Sequence, residues 1–380
     1  MPLKEDARGI ARYFGQMQIP AIRYRRDTTE FTKTLRARVD AYFKEKNLSR
    51  KGNWRLYLKT SIMLTLYFVP WALVTWGAAG TGVWFWVLEV VMGLGLAGIG
   101  LNVMHDANHD AFSQTQWVNV WMGRVLDLVG GNAAIWKIQH NVLHHTFTNV
   151  DGLDEDIDMH PFMRFSPLKP RYWWHRFQHI YSWGFYSLMT LFWMIAKDWL
   201  QVRRYHKKGL IRPAGTSVGK LSTSLAFTKT AYFTYVILLP MLFSGAAWYQ
   251  VLAGWVVMQL VAGFILAVIF QPAHVMEDHD YQPAEKGAQL DVDVLTHQLR
   301  TTSNFGTGSK VFTWLCGGLN HQIEHHLFPQ ISHIHLRNIA PIVKKTAEEF
   351  GIPYRSSTTY WQAIGKHTRM LRSLGQPLAA

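Results

Sequence analysis

Residues 81–109 read TGVWFWVLEVVMGLGLAGIGLNVMHDANH. From 81 to 104 the stretch holds one charge, Glu89, and is otherwise largely apolar. Roughly 20 such residues, rising about 1.5 Å each as a helix, cross the ~30 Å hydrocarbon layer of a bilayer. The run stops on HDANH, where His105 and His109 stand at i and i+4 and share one helix face. A spanning helix that ends in two stacked imidazoles predicts an integral membrane protein whose chemistry sits at the membrane boundary.

Three further apolar runs extend this pattern. Residues 56–77 precede it across the uncharged turn AAG, and residues 227–245 and 247–271 form a second pair joined by another uncharged turn. Lys and Arg crowd the outer flanks of both pairs, so the positive-inside rule puts both tight turns away from the cytoplasm. The expected fold is an all-α integral membrane protein: four transmembrane helices in two hairpins, both termini inside, and a cytoplasmic helical cap that carries the histidines. Residues 181–200, YSWGFYSLMTLFWMIAKDWL, are apolar enough for a fifth crossing. An odd crossing would place the histidines before and after it on opposite sides, so the segment is read as interfacial or partly embedded. The chain then divides into a basic cytoplasmic segment 1–55, a membrane domain 56–335 and a cytoplasmic segment 336–380.

Composition agrees. Of 380 residues 49% are hydrophobic and 17 are Trp, a residue that favours the lipid–water interface. The formal charge of +14 suits anionic headgroups, and no base-reading motif argues for nucleic acid. One cysteine, Cys316, excludes an intramolecular disulfide and thiolate metal clusters. The first residues show no apolar core behind a basic start, so no cleavable signal peptide is expected.

The 18 histidines are clustered. HNVLHH gives His140, His144 and His145, with His140 and His144 on one helix face and His145 toward its flank. QIEHH gives Gln322, His325 and His326, and His274 follows the last apolar run in FQPAH. With four spans, eight imidazoles and the Gln322 amide converge on one face of the membrane. Neutral imidazole suits iron, copper, zinc and nickel. Eight donors exceed the shell of one first-row ion, so two ions are expected. Soluble di-iron bundles use Glu-x-x-His, which is absent here, as is the His-Glu-x-x-His of zinc proteases. A histidine-rich di-iron centre remains. Asp106, Asp110, Asp151, Asp154, Asp156 and Asp158 stand near the first two boxes, where ligating imidazoles need acceptors for their second N–H.

These boxes, HDANH, HNVLHH and QIEHHLFP, with hairpins before and between them, resemble the membrane fatty acid desaturases over about residues 55–335. The wording QHNVLHHTFTNVDGLDEDID is similar to the bacterial acyl-CoA or acyl-lipid branch. The resemblance implies two iron ions, O2 as co-substrate, an acyl-CoA or membrane acyl-lipid substrate, and the bacterial inner membrane. It implies ligation by His274, a water held by Gln271, and Trp136 beside the acyl channel. Third boxes that begin with Gln, as Gln322 does here, resemble those of "front-end" desaturases, which act between an existing double bond and the carboxyl end. Many of these carry a fused cytochrome b5 domain with His-Pro-Gly-Gly. That motif is absent, so a separate electron donor is implied: a ferredoxin, a cytochrome b5 or a reductase.

Rivals remain at this stage: a delta-9-type desaturase, a membrane di-iron lipid or alkane hydroxylase, or a metal-storing or haem electron carrier. Other features have plainer roles. Gly93, Gly95, Gly98 and Gly100 permit close helix packing, and Pro70 and Pro240 are expected to kink their spans. Arg203, Arg204, Lys207 and Lys208 satisfy the positive-inside rule.

Overall fold

A computed structural model describes residues 22–25, 29–285 and 289–377. Of the basic N-terminal segment, residues 1–21 and 26–28 therefore lie outside the described residues, as do 286–288 and 378–380. Four described helices are long and apolar enough to cross a membrane: Trp54–Thr75, Val83–Asn108, Val218–Phe243 and Trp248–His274. Strand among the described residues amounts to short parallel pairs, such as Val150–Asp151 with Gln282–Pro283.

Local chemistry starts and bends these helices. Asn53 caps the first by accepting from Arg55 N, and Ser217 caps the third by accepting from Lys220 N. The third span begins at Val218 rather than at 227, because Lys220 and the hydroxyls of Ser222, Thr223 and Ser224 hide its start from an apolar scan. Lys229 is tolerated since its ammonium lies 2.9 Å from Asp198 and donates to the carbonyls of Gly130 (2.6 Å) and Trp193 (3.1 Å). Pro240 follows a π-helical turn, Thr234–Leu238, where the hydrogen-bond ladder is already offset. Exposed Trp54, Trp76, Trp84 and Trp248 all stand at span ends, as interfacial anchoring requires.

The second span packs between the first and the fourth. Small residues let it in: a Cβ on Gly95 would lie 2.6 Å from Tyr67 N, and one on Gly93 2.8 Å from Met258 O. At one end of the bundle Gln250 Nε2 donates to Thr81 O (2.8 Å) and Trp76 meets Phe243. The C-terminal ends of the second and fourth helices meet at the other end, where the histidines lie. Residues 178–207 form an interrupted helix that runs along the fourth span, with Thr190 Oγ1 donating to Gln259 O (2.6 Å). The helices Glu30–Glu45 and Leu336–Glu349 pack on each other through Leu35, Val39, Ile339 and Val343.

Gly95→Val should lower the Tm of the detergent-solubilised protein by the equivalent of about 1–3 kcal/mol, because backbone atoms cannot yield cheaply. Gly219→Ala, on an open helix face, should leave Tm unchanged or raise it.

Candidate metal centre

Four chain segments deliver the histidines. His105 and His109 close the second span, after a π-helical turn at Gly100–Met104. His140 and His144 lie on a π-helical stretch, Ile138–His144, fed by the Asn132-capped helix Ala133–Lys137. His145 follows it directly. His274 ends the fourth span, and His325 and His326 lie on the short helix Gln322–Leu327. Seven of the eight are buried, and His145 is half-buried.

Two groups of donors result. The ligand atoms of His105, His109, His140 and His325 lie within 4.8 Å of one another, and so do those of His144, His274 and His326. His140, His144 and Asp156 form a third such set that joins the two. His145, expected among the converging imidazoles though on the flank of its helix, is carried inward by the wider π turn. Its ring lies 4.7 Å from His140 and from His325, and stacks on His326 at 4.3 Å.

Outer partners fix which nitrogen faces inward. Asp154 takes His144 Nδ1 (3.0 Å), Asp156 takes His140 Nδ1 (3.4 Å), Gln298 Oε1 takes His326 Nδ1 (2.8 Å), and Thr301 O takes His274 Nδ1 (3.4 Å). Each such bond places the proton on Nδ1 and leaves Nε2 as a lone pair. The Nε2 atoms of His109, His274, His325 and His326 are buried without hydrogen-bond partners. His140 Nε2 lies 3.2 Å from the Nε2 atoms of both His105 and His145. Lone pairs so close repel unless a proton or a cation stands between them. Two nitrogens bound at about 2.1 Å to one ion, roughly 100° apart, make an edge of about this length. The donor set therefore fits one ion in each group.

Electrostatics agree. Burial, reinforced by neighbouring imidazoles, holds His109, His145, His325 and His326 well below the usual imidazole range, so they are neutral ligands at neutral pH. Burial also brings His140 down to about 4 against the pull of Asp156. His144 differs: burial opposes charge on it too, but Asp154 and Asp156 outweigh it and raise the group to about 9, so this imidazole must release a proton to bind an ion.

The remaining expected residues are placed as follows. Trp136 stacks on His140 (4.3 Å between centroids) and sets its edge against His105 and His109. Gln322 is buried with its Nε2 unpartnered. Gln271 donates to Asp156 O (3.2 Å) while its Oε1 is buried and free. Asp106 and Asp110, expected behind the box imidazoles, bond elsewhere. Asp106 accepts from Ser332 Oγ (2.7 Å) and pairs with His333 (2.9 Å), itself 3.2 Å from the buried Lys59 ammonium, and Asp110 accepts from Gln116. Asp151 and Asp158 pair with Lys169. The motifs did not mark Gln298 or Thr148, since a lone Gln in THQLRTT carries no pattern of its own.

The model of the fatty acid desaturase family matches residues 81–358, which contain all of these histidines. The chain belongs to that family. Among its relatives, the sn-1 linoleoyl-lipid 6-desaturase of Synechocystis sp. is 35% identical over 91% of this chain and 96% of its own length. The sn-1 linoleoyl-lipid 6-desaturase of Arthrospira platensis is 34% identical over 90% of this chain and 92% of its own. An acyl-lipid (8-3)-desaturase of Physcomitrium patens is 34% identical over 92% of this chain and 72% of its own. The chain is thus an O2-dependent acyl desaturase of the bacterial acyl-lipid branch, and its histidine groups are compatible with a di-iron site.

Asp154→Asn should weaken metal retention about 10–100-fold in chelator competition, because His144 loses a charged acceptor. Asp151→Asn, which only frees Lys169, should retain metal as the unaltered protein does.

Proposed function

We propose that this desaturase holds two iron ions and inserts a cis double bond into a lipid-bound acyl chain, on the carboxyl side of an existing double bond. The observation that carries the metal assignment is the division of the imidazoles into two groups with unpartnered, inward-facing nitrogens. His105, His109, His140 and His325 hold one ion; His144, His274 and His326 hold the other; His145 stands between them. Gln322 and Gln271 each present a buried, unsatisfied amide atom suited to a water beside an ion. When bound, the iron pair supplies, with O2 and two electrons, the power to take two hydrogens from adjacent unactivated carbons.

The protein's own part is position and exclusion. Asp154 and Asp156 fix the tautomers of His144 and His140. Trp136, with His105, His109 and His140 against it, gives the acyl chain an apolar wall and keeps water from the reacting carbons. The regiochemistry is supported by Gln322 at the head of the third box and by relatives named as linoleoyl-lipid 6-desaturases. Those names also favour an acyl lipid over acyl-CoA.

In this reading the four spans form two hairpins across the bacterial inner membrane. The turns that meet at Thr81 and Gln250 face away from the cytoplasm. The histidines, both termini and the helices of the cap face the cytoplasm, with segments 1–55 and 336–380 flanking the membrane domain 56–335. The two electrons come from a donor outside these 380 residues, a ferredoxin, a cytochrome b5 or a reductase.

Expressed with an electron donor in a desaturase-deficient host fed linoleate, the chain should yield a triunsaturated product with the new bond toward the carboxyl end. The His325→Ala, His326→Ala double variant should yield none. A new bond in fed saturated chains would replace the front-end assignment with a delta-9-type one. Hydroxylated lipid would point to the hydroxylase.

A further inference from the structure

We propose that Gln298 is a positioning residue for the second histidine group: it bridges boxes two and three and sets the tautomer of His326. The inference rests on the di-iron reading above. Gln298 lies on the helix Val294–Thr301, after the fourth span, and its side chain is 1% exposed. Its Nε2 donates to the carbonyl of His145 at 2.8 Å, and its Oε1 accepts from His326 Nδ1 at 2.8 Å.

The orientation is dictated from the far end. A backbone carbonyl can only accept, so the amide nitrogen must face His145 O. The amide oxygen must then face His326, whose Nδ1 must carry a hydrogen. His326 Nε2 is left as a lone pair, and it is buried with no other partner. Thr148 adjoins the arrangement. Its hydroxyl lies 2.9 Å from Gln298 Oε1 and 2.7 Å from His144 O, next to the ring that shares a group with His326.

The same helix serves His274, whose Nδ1 faces Thr301 O. One short helix thus orients two of the three imidazoles of the second group, and both of its acceptors are neutral. The acceptors behind His140 and His144 are carboxylates. A carboxylate at position 298 would keep the acceptor for His326 but turn its second oxygen, also an acceptor, toward the His145 carbonyl; an amide satisfies both ends.

The test uses the full chain in detergent, loaded with ferrous iron. The readouts are iron per chain, iron retention against a chelator, the iron Mössbauer spectrum and Tm. The unaltered protein should hold two irons. Gln298→Leu, close in shape and unable to bond either end, should lose one iron about 10–100-fold more readily while the other is retained. One of two spectral components should weaken, with Tm little changed. Gln298→Glu, which keeps the acceptor for His326, should recover retention to within a few-fold of the unaltered protein, with that one component shifted. Two irons held with unaltered affinity and spectrum in Gln298→Leu would overturn the proposal alone. Equal loss of both irons with a lowered Tm would overturn it too, by reducing the residue to a structural one. Fewer than two irons in the unaltered protein would overturn the di-iron reading and the proposal with it.

Discussion

Imidazole lone pairs held a few ångström apart in a buried site repel one another, and that repulsion must be answered by a proton or a metal cation. The structure meets the condition with His140 Nε2 set 3.2 Å from two other Nε2 atoms. Rotation of a ring would relieve the crowding, so rings have to be pinned. Asp154, Asp156, Gln298 and the Thr301 carbonyl pin four of the eight from behind, and their own placement depends on where the spans end. The bundle is thus a frame for bringing helix ends to one place. The close approach of the first and second spans at Gly95 is part of the same requirement.

Boxes two and three each serve both groups. His140 belongs to one and His144 to the other; His325 and His326 divide in the same way. Adjacent helical residues point about 100° apart, so the pair His325–His326 naturally faces two centres. Box two reaches the same end through a π turn, closed by His145 N donating to His140 O at 2.9 Å. The extra residue in that turn brings three imidazoles inward where an α-helix would present two. Two ions bound to these shared segments would be fixed in relation to each other.

Much of this was legible in the sequence because it is periodic or dense. Four apolar runs and three histidine boxes survive any uncertainty about loops. His274 was legible from its place after the last run. What escaped depends on single contacts between distant segments. Lys220, Ser222, Thr223 and Ser224 concealed the start of the third span, and the counter-ion that lets Lys229 sit within it, Asp198, lies on another element. Asp154 and Asp106 look alike beside their boxes, yet one faces His144 and the other His333. The π turns follow from no composition rule, so His145 was legible as one of the clustered imidazoles but the turn that carries it inward was not. Gln298 has no motif, and its role appears only when boxes two and three are seen to share it.

The central claim is that imidazoles from four chain segments bind iron in two neighbouring groups. X-ray absorption at the iron edge of the purified, iron-loaded chain tests it most directly. The account predicts a first shell of nitrogen and oxygen, strong outer scattering from several imidazole rings per iron, and no sulfur. A porphyrin pattern, or a shell of carboxylate oxygen with little imidazole scattering, would contradict it.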